Sequence, residues 1–166
     1  MSTADAVARE TAWLNAFGDG LPSLTAAHGG PWDVIQAYMP RTPATAKKQL
    51  YVLRRRLTEN RIAAPRKIDT HQFHLSLWWP IGATTIASGI AETEQANLDA
   101  AVDLLLQRIR GFATDHSHGG RFLAVAEAPV GAEIVVEYGD PVHGITVAGA
   151  LTATVTYSAD DADFTA

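Results

Sequence analysis

A strict alternation of side chains over residues 71–79 constrains the fold more than any other feature of this sequence. One face of the run carries only apolar side chains: Phe73, Leu75, Leu77 and Trp79. Because successive side chains of a β-strand point to opposite faces, this run predicts a strand that is buried on one side and ends at Pro80. The adjacent Trp78 and Trp79 are then expected on opposite faces of the sheet.

Two segments have the spacing of amphipathic helices. Residues 92–112 predict a long helix, because an apolar stripe recurs every three or four positions, with acids early and Arg108 and Arg110 late. The stripe is Leu98, Val102, Leu105, Ile109 and Phe112. A shorter helix is predicted over residues 3–17, with Thr3 as its N-cap. Its expected apolar face is Ala6, Trp13, Leu14 and Phe17.

The remaining apolar runs are short and are separated by Gly and Pro, which predicts further strands at residues 32–38, 49–57, 121–126, 132–138 and 147–158. We therefore predict an α+β fold, with a mostly antiparallel sheet packed against one long and one shorter helix. A chain of 166 residues fits a single domain. Its expected parts are an N-terminal helix and loop (1–40), the sheet and long helix (41–158) and a short acidic tail (159–166).

Composition narrows the possible sites and compartments. The chain has no cysteine, so disulfides and thiolate metal sites are excluded. Hydrophobic residues make up 47% and charged residues 19%, which is typical of a globular protein. The N-terminus lacks the basic start and apolar run of a signal peptide, and no segment is long enough to span a bilayer. We expect assembly in the cytoplasm, with no membrane partner.

The net charge of -5 is very unevenly distributed along the chain. Between Arg41 and Lys67 there are nine basic residues and a single acid, Glu59. After Arg121 there is no Lys or Arg, but there are seven acids: Glu127, Glu133, Glu137, Asp140, Asp160, Asp161 and Asp163. Such polarity is informative about partners rather than about the fold.

The histidines are the first place to look for chemistry, but their spacing is unfavourable. On a strand, His71 and His74 point to opposite faces and cannot share a metal. His116 and His118 follow the long helix, where a side chain can cap its last carbonyls, so a capping or loop role is expected rather than a metal site. Asp115, His116 and Ser117 are adjacent, so they cannot form a hydrolytic triad and are interpreted as a polar loop.

No motif for phosphate or dinucleotide binding and no nucleophile elbow occurs in the sequence. Glu133 and Glu137 share a strand face but are interpreted as exposed acids. We therefore predict no catalytic residue, no cofactor and no bound metal. Two alternatives stay open: a nucleic-acid-binding module using Arg54, Arg55 and Arg56 with Tyr51 nearby, and a small metal-assisted hydrolase using His116 and His118.

Several short patterns occur in a fixed order along the chain: the strand Phe-x-Leu-x-Leu-Trp-Trp-Pro ending at Pro80, the long helix, His-Gly-Gly-Arg-Phe ending at Phe122, Val-Val-Glu-Tyr-Gly-Asp-Pro ending at Pro141, and Leu-Thr-Ala-Thr-Val-Thr-Tyr-Ser-Ala-Asp-Asp ending at Asp161. These patterns and their order resemble the tail terminator family of long-tailed bacteriophages. The resemblance covers residues 51–164. It implies a small α+β subunit whose copies form a ring, usually a hexamer, with neither catalysis nor a cofactor.

Several partners follow from the resemblance: copies of the chain, the tail-tube protein and a head-side connector or stopper, with DNA passing through the ring without specific binding. The virion tail or neck is the implied location. Residues 1–40 match nothing in that pattern, and other neck or tail-completion proteins share this architecture.

A ring needs two different complementary surfaces on each subunit. We predict that the basic segment of one copy faces the acidic C-terminal region of the next, although both could also meet within one subunit. Charge would set the register, and a tryptophan would supply most of the affinity. The candidate interface residues are Arg54, Arg55, Arg56, Arg61, Trp78, Trp79, Asp160, Asp161 and Asp163.

Overall fold

The computed structural model describes residues 3–18, 20–42, 47–63, 66–81, 90–111, 115–127, 133–139 and 150–164. Two helices and six strands lie within these ranges. Their order is α1 (Ala6–Asn15), β1 (Val34–Ala37), β2 (Gln49–Ala63), β3 (Arg66–Pro80), α2 (Ile90–Arg110), β4 (Ala124–Val125), β5 (Val135–Tyr138) and β6 (Ala150–Phe164).

All six strands belong to one sheet with the order β1-β2-β3-β6-β4, and β5 also pairs with β6. Only the β1–β2 pair is parallel, so the sheet is mostly antiparallel, as predicted. Three strands of 15 residues, β2, β3 and β6, form its centre. The combination of two helices with a mostly antiparallel sheet confirms the predicted α+β class.

One face of the sheet forms the core. The predicted alternation of β3 is confirmed, since Phe73 and Trp79 are almost fully buried and their neighbours are partly exposed. In β6 the buried side chains likewise alternate with threonines at 152, 154 and 156. Both helices lie on the core face, where Glu10 of α1 bonds Tyr157 and Glu94 of α2 bonds Trp79.

The predicted stripe of α2 is buried at Leu98, Val102, Leu105 and Ile109. Phe112, its last predicted member, lies outside the described residues. The helix ends because Gly111 adopts a left-handed conformation with φ +69. A side chain at this position would be strained and would approach the carbonyl oxygen of Asp115 to 2.5 Å.

The first helix is shorter than predicted. A 3-10 turn, Thr3–Asp5, precedes α1, so Asp5 and not Thr3 occupies the N-cap position. The helix ends at Asn15, and Phe17 is 59% exposed instead of continuing the apolar face. Phe17 stacks on His28 with ring centroids 3.6 Å apart.

The strand predictions were correct in position but not in length. Both β1 and β4 are shorter than predicted, while β2 and β3 extend past the predicted ends and pair along nearly their whole length. Residues 132 and 147–149, part of two predicted strands, lie outside the described residues. The largest correction concerns the predicted acidic tail, because β6 continues through it to Phe164 and stays paired with β3.

Candidate subunit interface

The basic edge of the molecule is the part of β2 that follows Val52. A register shift between Arg54 and Arg56 marks a bulge, which changes the direction of the arginine side chains at this point. Arg54 shares the core face with Phe73 and approaches Nδ1 of His71 to 3.5 Å. Arg55 and Arg56 are exposed. Further along the strand, exposed Arg61 lies 3.5 Å from a carboxylate oxygen of Glu59.

Trp78 and Trp79 point to opposite faces of the sheet, as predicted. Trp79 is only 1% exposed, and its indole nitrogen donates a hydrogen bond of 2.8 Å to Glu94. Trp32 meets it edge-on, and the Lys48 ammonium lies 4.1 Å from the centre of its ring. Trp79 is therefore a core residue, and only the partly exposed Trp78 lies on the opposite face.

The C-terminal part of β6, with Asp160, Asp161 and Asp163, lies beside the β2–β3 hairpin of the same chain. Asp161 is 1% exposed and accepts a 2.6 Å hydrogen bond from Arg9, and Asp160 accepts one of 2.8 Å from Thr70. The backbone of Asp163 is in register with Lys67, although its side chain lies outside the described parts. The expectation that these acids face another copy is corrected for Asp161, because it is buried and paired within its own subunit.

His71 and His74 lie on opposite faces, which confirms the strand argument. His71 is fully buried, and its Nδ1 lies 3.5 Å from a guanidinium nitrogen of Arg54. Burial lowers the pKa of His71 despite the attraction of Asp161. His74 lies 3.2 Å from the Thr156 hydroxyl, and burial together with Arg55 lowers its pKa as well.

His118 has the capping role predicted for it. Its Nε2 lies 2.7 Å from the carbonyl oxygen of Ile109, in the last turn of α2. Its Nδ1 lies 2.9 Å from the Glu10 carboxylate, so both ring nitrogens have protein partners and neither is available to a metal. His116 is directed elsewhere, with its Nδ1 at 3.7 Å from Glu127. The pair required by the hydrolase alternative is therefore not assembled.

A buried polar cluster ties α1 to the sheet. Glu10, His118 and Tyr157 are each at most 1% exposed. Glu10 accepts hydrogen bonds from His118 and, at 2.5 Å, from the Tyr157 hydroxyl, while the ring of Trp13 stacks on His118 at 4.8 Å. Burial opposes charge on His118, but the attraction and hydrogen bond of Glu10 raise its pKa above the ordinary value. Burial and Glu10 also raise the pKa of Tyr157.

The segment Asp115-His116-Ser117 is a polar loop, as predicted. The Asp115 carboxylate accepts hydrogen bonds from the backbone and hydroxyl of Ser117 and from the Gly119 amide. These bonds lower the pKa of Asp115. The carboxylate therefore organises the turn after α2. Across the described residues, no three potential metal-ligating side chains of His, Cys, Asp or Glu are grouped to hold an ion.

Sequence reasoning missed Arg9 and Glu10 as partners of the C-terminal strand. One signal was present, since Glu10 lies at helical spacing between Ala6 and Trp13 on the apolar face of α1. An acid on such a face needs a buried partner. The identity of that partner could not be found from the sequence, because His118 and Tyr157 lie more than a hundred residues away.

Neither helix of the described ranges combines the length and apolarity needed to cross a membrane. A scan against protein-family models finds no match to this chain, and a search of curated proteins finds no significant relative.

Proposed function

We propose that this protein is a structural subunit of a long-tailed bacteriophage: a tail terminator whose copies form a ring that ends tail-tube growth and joins the tail to the head-side connector. The observation that carries the proposal is the spatial arrangement of the resembling segments. The strand ending at Pro80 and the strand through Asp161 are the adjacent β3 and β6, with β5 beside them. The long helix α2 packs on the core face of the same strands.

The segments that resemble the family's patterns thus lie next to one another, with the strands in one sheet and α2 packed on it. The described residues before position 40 add α1 on the same core face and β1 beside β2, and they share the apolar core. In the proposed ring, the partners are other copies, the tail-tube protein and a connector or stopper. DNA would pass through the lumen without specific contacts, and the finished protein would reside in the virion neck.

Deletion of the gene from the phage genome tests this function. The expected result is filled heads without joined tails, together with tail tubes of uncontrolled length, measured by electron microscopy of lysates. Expression of the intact chain in the host should restore tails of normal length. Unjoined tails of normal length in the deletion lysate would contradict the terminator and leave a connector or tail-completion role.

A nucleic-acid-binding module is the second candidate, and the exposure of Arg55, Arg56 and Arg61 on one strand favours it. Binding through phosphates would weaken steeply with salt. A fluorescence-anisotropy titration with duplex and single-stranded DNA at two salt concentrations tests it. Tight binding that is lost on changing these three arginines to Gln would favour this candidate over the ring subunit.

A further inference from the structure

The sheet has two open edges on opposite sides. On one side, β1 covers β2 only from Gln49 to Val52, and no strand of the described residues pairs with the outer side of β2 from 53 to 63. On the other side, β5 pairs with β6 and with no other described strand. Such edges present backbone N–H and C=O groups that can pair with another chain.

The two edges carry opposite charges. The β2 edge exposes Arg55, Arg56 and Arg61. The β5 edge exposes Glu133 and Glu137. Each edge also exposes apolar side chains, with Leu57 41% and Ile62 65% exposed on the basic edge and Val135 37% and Tyr138 52% exposed on the acidic edge. Each edge therefore offers charge, apolar contact area and backbone hydrogen-bonding groups.

The charges also lie on matching faces. Arg56 is in register with Gln72, and Glu137 is in register with Thr154, which places both on the face opposite the two described helices. Each face of a sheet continues across a new strand pair, so Arg56 of one copy and Glu137 of another would share a face if these edges met. The described residues 133–139, which include the four-residue strand β5, span roughly 20 Å and fit within the open part of β2.

Pairing of two β2 edges is unfavourable, because it places arginines opposite arginines. We propose that the β5 edge of one copy adds to the β2 edge of the next, so that the sheets of neighbouring subunits run on from copy to copy. This inference rests on the proposed ring and names the surfaces by which its subunits meet. Main-chain hydrogen bonds provide affinity, and the Arg–Glu pairs fix the direction of the contact.

Cross-linking of single-cysteine variants tests the proposal directly, because the native chain has no cysteine. Thr58→Cys lies on the face of β2 opposite the two described helices and Val135→Cys on the same face of β5, and neither substitution alters a charge. The two proteins are mixed and treated with a short bis-maleimide reagent, which tolerates a register difference of a residue or two. Ala100→Cys, an exposed position on α2, replaces either partner as the matched control.

The expected result is a 58–135 cross-link, identified by mass spectrometry, in several-fold excess over 58–58, 135–135 and the control pairs. Raising the salt concentration should lower its yield. Arg55→Glu with Arg56→Glu in the Thr58→Cys protein should abolish it, and Glu133→Lys with Glu137→Lys in the partner should restore it. If circular dichroism shows that a charge variant fails to fold, the salt dependence of the 58–135 cross-link yield tests the proposal instead.

A 58–135 yield no greater than the control, or a predominance of 58–58, would overturn the proposal. That outcome is separable from failure of the proposed function. Tails of uncontrolled length in the deletion phage would then leave a terminator whose copies meet through other surfaces. Tails of normal length in the deletion phage, together with a strong 58–135 cross-link, would instead indicate a protein that forms a ring at another position in the virion.

Discussion

At the scale of single residues, Glu10 shows how one buried carboxylate can hold distant parts of the chain together. His118 directs both ring nitrogens at acceptors, Glu10 and the Ile109 carbonyl, and it can donate to both only as the charged imidazolium. The Tyr157 hydroxyl donates to the second oxygen of Glu10. The charge on Glu10 is thus balanced inside the core by a neighbour whose pKa it raises.

Glu10→Gln is expected to reduce the free energy of unfolding by about 1.5 to 3 kcal/mol, the usual value of a hydrogen bond to a charged group. The folded-state pKa of His118 is raised. Its contribution is therefore fully present below the ordinary histidine pKa of about 6.5 and is lost as the pH rises through the folded-state value. The difference between wild type and variant should shrink from about pH 6 to about pH 9.

Urea unfolding at both pH values measures this difference. Glu92→Gln, an exposed acid in the first turn of α2, is the control and should change the stability little. A destabilisation that stays the same or grows as the pH rises would show that His118 is not charged in the folded protein.

At the scale of elements, Arg108 joins the two helices. It is 1% exposed, and its guanidinium donates to the carbonyl oxygens of Trp13, Ala16 and Pro22 at and beyond the end of α1. In return, the Trp13 indole donates a 3.0 Å hydrogen bond to the Arg108 carbonyl. The Trp13 carbonyl also accepts a bond of 3.1 Å from the Ala16 amide at the end of α1. Arg108 adds a charged donor there and satisfies the carbonyls that follow, so an arginine of α2 helps to cap α1.

Arg108→Met keeps much of the side-chain length but removes these donors. We expect a loss of about 1.5 to 3 kcal/mol in stability and faster hydrogen exchange, concentrated in α1 and the residues just after it. Arg110→Met on the same helix is exposed and should leave both unchanged. Equal effects of the two substitutions would contradict the capping role.

The strands and helices were predictable where side-chain periodicity is strong, and not elsewhere. The alternation around Phe73 and the stripe through Leu105 identified β3 and α2, because burial on one side leaves that pattern. The outer half of the β2–β3 hairpin has no such pattern. Charged pairs stabilise it instead, since the Lys67 ammonium lies 3.0 Å from Glu59 and 3.4 Å from the buried Asp69. Cross-strand pairing of this kind depends on register, which single-sequence periodicity does not give.

The candidate interface was predicted from charge, and charge along the sequence was an incomplete guide. The acids at residues 159–163 were interpreted as a tail free to meet another copy. In the structure these residues continue the alternating burial of β6, since Ala159 and Asp161 are buried while Asp160 and Ala162 are partly exposed. Asp161 therefore lies on the core face, beside Arg9. The basic edge at Arg55 and Arg56 is exposed as expected, while the opposing acids at Glu133 and Glu137 were interpreted only as solvent-exposed.

At the scale of the whole molecule, the C-terminal strand is part of the core. Ala159 and Asp161 are each 1% exposed, and the last strand pairs with β3 on one side and β4 on the other. Deletion of residues 159–166 is therefore expected to abolish cooperative unfolding and much of the solubility. Deletion of 165–166 alone is the control and should preserve both. A shortened chain with a native-like thermal transition in circular dichroism would show that these residues are a dispensable tail after all.

Assembly through two different edges also predicts how the subunits associate in solution. Each contact between a β2 edge and a β5 edge leaves one free edge of each kind, so growth continues beyond a dimer until a ring closes. Sedimentation velocity at rising protein concentration and low salt should show species larger than dimers. Added salt should dissociate them, because exposed Arg–Glu attraction is screened over about 10 Å at 0.1 M.

Arg55→Glu with Arg56→Glu should give monomers, and further Glu133→Lys and Glu137→Lys in the same chain should restore the larger species. A protein that remains a dimer or a monomer at every concentration would contradict this mode of assembly.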